Sequence, residues 1–193
     1  MSLLFNGSIM VAATPEDVWP KLVDWTGQGQ WIPMTTMQAI GRQVEGLGTR
    51  IRGRHGPSIG GRRLGFSDEM VVTCWEPPYE LEMTHLGPWF TGVGVFTIEA
   101  RGLRTWLSVR ERITVRGGKV AEKAALAFRP LLQRQLADSL QRFVRLVADN
   151  APRPTELTDP ARRYLSRRNK APIFADEAEK RQRRQQRRRV ARS

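Results

Sequence analysis

Between Ser67 and Val115 the chain leaves itself almost no room to turn, and this limits its architecture more than any other feature. Four stretches of strand-like content, Ser67–Glu76, Tyr79–Gly87, Trp89–Arg101 and Arg104–Val115, are joined only by Pro77-Pro78, Gly87-Pro88 and Gly102-Leu103. Strands joined this tightly lie antiparallel and side by side, because a parallel neighbour needs a crossover of roughly a dozen residues. No alternation of strand and helix occurs, so a parallel sheet is excluded.

The short turns also set a register. Glu76 opposite Tyr79 places Met70, Val72 and Cys74 on one face with His85, Met83 and Leu81, while Glu80 and Glu82 point the other way. Arg101 opposite Arg104 gathers Phe96, Ile98, Leu107, Val109 and Glu111 on the apolar face, with Glu111 across from Gly94. Glu111 is then a carboxylate on the side meant to be apolar, with an empty space beside it where the glycine has no side chain. In this register His85 and Glu111 fall in different rows, flanking a ligand without bonding to each other.

An apolar sheet face needs a cover, and Lys119–Asp149 supplies one. Phe128, Leu132, Leu136, Leu140, Phe143 and Val147 recur at steps of four or three, one face of a helix, with Arg134, Asp138, Arg142 and Arg145 opposite. Pro130 lacks an amide hydrogen and its ring crowds the preceding turn, so the helix is expected to kink there or begin afresh. Upstream, Leu3–Val11 reads as a first strand. Thr14 as N-cap and Pro15 in the first turn open a short helix carrying Val18, Leu22 and Trp25, bent at Pro20, and a brief further turn follows at GQGQWIP. Met37–Val44 and Thr49–His55 form a hairpin around Gly46 and Gly48, and Gly53–Gly65 is a basic, glycine-rich loop.

In this order ATPEDVWPKLVDW, QWIP, VVTCWEPPYELEMTH, GVGVFTIEARGLRTWLSVRE and RPLLQRQLADSLQRFVRLV resemble the helix-grip fold of the START/polyketide-cyclase (SRPBCC) superfamily over about residues 3–149. The fold class expected is α+β: a curved antiparallel sheet of six or seven strands wrapped around a long C-terminal helix. The resemblance implies a cavity for apolar or amphipathic small molecules. Its members include polyketide aromatases and cyclases, lipid carriers and hormone receptors, so it speaks to fold more than to function. Pro20 departs from the usual first-helix pattern.

The net charge of +13 is uneven. Residues 151–193 hold 14 Lys or Arg against 5 acidic residues, which leaves +4 for residues 1–150. Residues 1–150 are therefore read as the helix-grip domain. Residues 151–193, a proline-broken linker followed by an arginine-rich run without an apolar face, are read as a disordered or loosely helical tail. Such a polycation suits non-specific contact with nucleic acid or anionic lipid, and without interleaved aromatics it does not suggest base stacking. The single cysteine excludes a disulfide framework, and no apolar run approaches a membrane span, so a cytoplasmic protein is expected.

Three functions remain in play. The first is binding of a small hydrophobic molecule (a lipid, polyketide or aromatic compound), lined by Trp19, Trp31, Cys74, Met83, His85, Trp89, Phe96, Val109 and Glu111. The second is an aromatase/cyclase or dehydratase with Glu111 as catalytic acid/base and His85 or Arg110 positioning an enolate. The third is a nucleic-acid-associated protein acting through the tail. His55, His85 and Cys74 offer no close-spaced ligand pair, so neither a metal nor a cofactor is expected. Cys74 lies roughly 13 Å from the row of His85, too far for a nucleophilic pair, and reads as a small core residue.

Overall fold

The structure is a computed structural model that describes residues 2–60, 62–63 and 65–150; the readings made of the tail and of the boundary at residue 150 lie outside them. In chain order the elements are β1 (Ser2–Val11), α1 (Pro15–Val23), a 3-10 turn (Thr26–Gln30), β2 (Thr35–Ile40), β3 (Arg50–His55), β4 (Ser58–Ile59), β5 (Arg62–Arg63), β6 (Phe66–Glu76), β7 (Glu80–Gly87), β8 (Phe90–Arg101), β9 (Arg104–Val115) and α2 (Gly118–Asn150). Seven strands form one antiparallel sheet in the order β1-β9-β8-β7-β6-β3-β2, and β4 pairs with β5 inside the glycine-rich loop. This is the helix-grip arrangement.

Local chemistry explains the ends of the elements. Thr14 caps α1 in a capping box: its hydroxyl accepts from the Asp17 amide, and the Asp17 carboxylate takes the Thr14 amide at 3.4 Å in return. β2 stops at Ile40 instead of reaching Val44, because Gly41 turns the chain at φ +95°. The loop beyond is held by the Gln43 amide nitrogen, which donates to the carbonyls of Glu45 and Leu47.

Two expectations need correction. Of the two outcomes expected at Pro130, a fresh start is ruled out, since α2 is continuous through it over 33 residues. Pro130 and Leu126 are both exposed, so water takes over the Leu126 carbonyl that the proline leaves unpaired. The second correction concerns register. β8 and β9 pair as expected, from Arg101 opposite Arg104 to Gly94 opposite Glu111. Between β6 and β7 the pairing steps at Thr73, so Val72 faces Met83 but Cys74 faces Glu82 and Trp75 faces Leu81. One extra residue reverses every later side chain. Trp75 therefore turns inward, where it packs edge-on against Trp19 at 5.1 Å, and Cys74 is half-buried on the outer face instead of in the core.

The core lies under the C-terminal half of α2. Leu140, Phe143 and Val147 are buried against Val18, Leu22, Ile51, Leu81, Ile98 and Leu107, and Trp31 meets Phe143 edge-on at 5.0 Å. The N-terminal half of α2 is held differently. Ala125 and Leu136 touch a small cluster of Leu3, Phe5 and Ile113, while Phe128 (59 %), Leu131 (59 %) and Leu132 (41 %) stay exposed. The helix thus packs its C-terminal half into the main core and its N-terminal half only against this small cluster.

Candidate functional site

The open end of the sheet carries a line of polar side chains on its inner face. Asp68 belongs to the same alternation as Met70 and Val72 on β6, all buried, and its backbone pairs with Gly53 of β3. His85 follows Leu81 and Met83 along β7, and Glu111 follows Leu107 and Val109 along β9. Strand β8 runs between the last two, and at this level its inward positions are Gly92 and Gly94. With no side chain between them, His85 and Glu111 meet across β8.

The contacts form one continuous line. His85 Nδ1 lies 2.5 Å from Asp68 Oδ2, and His85 Nε2 lies 3.1 Å from Glu111 Oε1. The expectation that these two residues cannot bond is overturned: row counting along the strands ignored the diagonal reach of long side chains over two glycines. Asp68 is sealed at 2 % exposure, and the Glu111 side chain keeps 31 %. Burial alone would push His85 down, but the hydrogen bonds and charges of Asp68 and Glu111 outweigh it and hold the ring up to about 9. At neutral pH His85 is an imidazolium that donates one N–H to each carboxylate. It is not a free base, and of the three side chains Glu111 is the one that keeps substantial solvent access.

Aromatic rings surround this line. His55 stacks on Phe66 at 5.0 Å, Phe66 meets Phe90 at 5.7 Å, and Phe90 lies 5.3 Å from His85. An open cleft of about 440 Å³ lies where β3 meets β6, walled by Arg52, Arg54, His55 and Phe66, and none of Asp68, His85 and Glu111 lines it. A second, of about 530 Å³, lies beside Leu86, Trp89 and Arg116.

The other sequence candidates are dispersed. Trp19, Trp31, Met83 and Val109 are core residues, and Phe96 packs half-buried beside them. Trp89, at 60 % exposure, stands on the β7–β8 turn away from the inner face, and Cys74 lies on the outer face. Asp68 was missed. Its signal was present, since alternation from Met70 and Val72 places it inward, one step from the row of His85.

A family model described as "Polyketide cyclase / dehydrase and lipid transport" matches residues 3–148. No curated protein matches the chain. Among solved structures the chain is similar to TTHA0849 from Thermus thermophilus, at 15 % identity and a TM-score of 0.62, covering 78 % of this chain and 100 % of that one. It is also similar to the Zhui aromatase/cyclase from Streptomyces sp. R1128 (16 % identity, TM-score 0.60, 77 % and 94 % covered). A START superfamily protein from Mycobacterium smegmatis is matched at 16 % identity and a TM-score of 0.54, with 77 % and 96 % covered. Identities this low speak for the fold alone. The match over residues 3–148 goes further, and with the gripped helix and seven-stranded sheet it places the chain in the polyketide cyclase/dehydrase and lipid transport family.

Proposed function

We propose that this protein binds a small amphipathic molecule in the hollow between the inner sheet face and the N-terminal half of α2. The observation that carries the reading is the Asp68–His85–Glu111 line, set among apolar and aromatic side chains at the level where the helix side chains become exposed. Its chemistry selects the ligand's polar end. Both His85 N–H groups are engaged, so the group left to meet a ligand is the Glu111 carboxylate, which only accepts. A hydroxyl or phenol is favoured there and a carboxylate is repelled, while the apolar body lies against Phe5, Phe90 and Leu136. Displacement of a hydrophobic dye, with native mass spectrometry of the complex, tests this. Hydroxylated polycyclic or long-chain compounds are expected to displace the dye, and their carboxylated analogues to do so poorly. Replacing Glu111 by Gln exchanges a charge-assisted bond for a neutral one and weakens the hydroxylated ligand about tenfold. An interior that admits neither dye nor ligand overturns the proposal.

The same line supports a second reading, that of an enzyme of cyclase or dehydratase type. Glu111 takes a proton from a carbon next to a carbonyl, and His85, fixed by Asp68, holds that carboxylate in place. The expected signature is that Glu111→Gln removes turnover of a poly-β-carbonyl substrate while changing its affinity by no more than about tenfold. Equal turnover by the two proteins rules the enzyme out.

A further inference from the structure

The two ends of the sheet differ in both grease and charge. At the open end, where β6 and β8 begin and β3, β7 and β9 finish, Leu4, Phe66, Leu86 and Trp89 are exposed, and the adjoining half of α2 adds Val120, Phe128 and Leu131. Arg54, Arg112, Arg116, Lys119, Lys123 and Arg129 surround them. The acidic residues in these stretches are fewer than the cations and mostly held: Asp68 and Glu111 pair with His85, Glu69 is held by Arg50 and Arg52, and Glu122 lies in the helix sequence. At the far end the turns carry both signs, Glu45, Glu76, Glu80 and Glu99 against Arg42, Arg101 and Arg104, with Glu99 paired to Arg101. The exposed apolar side chains are not scattered but continuous along α2, since Val120, Ala124, Phe128 and Leu131 fall at steps of four, four and three.

We infer that the open end docks on the surface of an anionic lipid bilayer. A helix with large apolar side chains on one stripe and Lys or Arg on its flanks suits the boundary between headgroups and acyl chains. Trp89, on a turn tip beside Arg116, suits the same depth, where the ring meets hydrocarbon and its N–H meets water. Basic side chains near such a surface are attracted to it, and the far end, where the charges are balanced, offers no comparable attraction. Charge complementarity is what selects a bilayer over a second copy, because two open ends brought together would place these cations against one another. The inference rests on the ligand-binding reading for one point, that the ligand is drawn from the lipid phase through the end that contacts it.

The test uses the full chain with phosphatidylcholine vesicles, with and without about a third phosphatidylglycerol, some carrying bromine on the acyl chains. Residues 151–193 contain no tryptophan, so bromine quenching reports the domain and not the basic tail. Binding is expected to anionic vesicles only, with quenching that disappears in Trp89→Phe. Phe128→Ser combined with Leu131→Ser, both at exposed positions, is expected to lower vesicle affinity at least tenfold with an unchanged circular dichroism spectrum. Vesicle binding without quenching, insensitive to the helix substitutions, overturns the inference and assigns the contact to the tail. Concentration-dependent self-association that the double variant abolishes, with vesicle binding unchanged, overturns it in favour of a second copy. Dye uptake in lipid-free solution is measured in parallel; uptake without vesicle docking sinks this inference alone and leaves ligand binding standing.

Discussion

His85 makes the stability of the domain depend on pH in a way that can be worked out from two contacts. The ring is held up to about 9 in the folded protein by Asp68 at 2.5 Å and Glu111 at 3.1 Å, against 6.5 for an ordinary histidine. Below pH 6.5 both folded and unfolded chains carry the proton, and the stabilisation is fully present. Between 6.5 and 9 the folded state keeps a proton that the unfolded chain has released, so stability falls by about 1.4 kcal/mol per pH unit. The loss across the window is roughly 3 kcal/mol, a large fraction of what a domain of this size has to give. Urea unfolding at pH 6, 7, 8 and 9 on the wild type and on His85→Gln isolates the contribution, because the rest of the chain is common to both. The wild type is expected to lose about 3 kcal/mol more than the variant over that range. If the variant folds poorly, the imidazole NMR signals of the wild type give the midpoint directly. Parallel stability curves, or a His85 midpoint near 6.5, would refute the reading of the ring as an imidazolium clamped between two carboxylates.

The geometry sets further outcomes. A β-carbon at Gly94 would lie 3.9 Å from the Glu111 carboxylate, so Gly94→Ala leaves the NMR midpoint of His85 in place, while the bulk of Gly94→Leu parts the pair and lowers it. Phe143 is fully buried under α2 and Phe128 is 59 % exposed, so Phe143→Ala costs about 3–5 kcal/mol in chemical denaturation and Phe128→Ala under about 1.

What the amino-acid sequence made legible followed from turn length and alternation. The two-residue connection between Arg101 and Arg104 fixes every pair of β8 and β9 down to Gly94 and Glu111, and the structure has those pairs. The same reasoning failed halfway along β6, since nothing in VVTCWE marks Thr73 as the residue that steps out of register. A bulge depends on how the sheet must bend, which is a property of all seven strands and of no local spacing. Cys74 and Trp75 consequently exchanged faces. Pro130 was read through its local cost, but an exposed turn lets water satisfy the freed carbonyl, and packing at Leu136 and Leu140 carries the helix across. Trp89 shows the limit of hydrophobicity as a guide, because a large apolar side chain on a turn tip has no core to enter. The polar line was half visible. His85 and Glu111 were singled out, yet their bond depends on two glycines of an intervening strand, and Asp68 needed a third strand's alternation carried one step further.

The division of α2 explains why that polar line is tolerated at all. Along the inner face, the row of Leu81, Ile98 and Leu107 gives way to Met83, Phe96 and Val109, then to His85 and Glu111. Along the helix, buried Val147, Phe143 and Leu140 give way to half-buried Leu136 and then to exposed Leu132 and Phe128. The polar line crosses the sheet at the level where the helix side chains become exposed, with the buried Leu3, Phe5 and Ile113 cluster beside and beyond it on β1 and β9. An imidazolium and two carboxylates beneath a fully packed helix would lose most of their hydration, and mutual pairing seldom recovers that cost. Here the Glu111 side chain keeps 31 % exposure, so the line is paired inward and open to water at its outer end. The apolar share of folding stability accordingly resides in the closed half, while the His85 pairs add a pH-dependent share in the open one. Glu111 shares the pairing of His85 with Asp68, so its substitution removes only part of that share and costs less than that of Phe143, which leaves the proposed ligand chemistry open to mutational dissection.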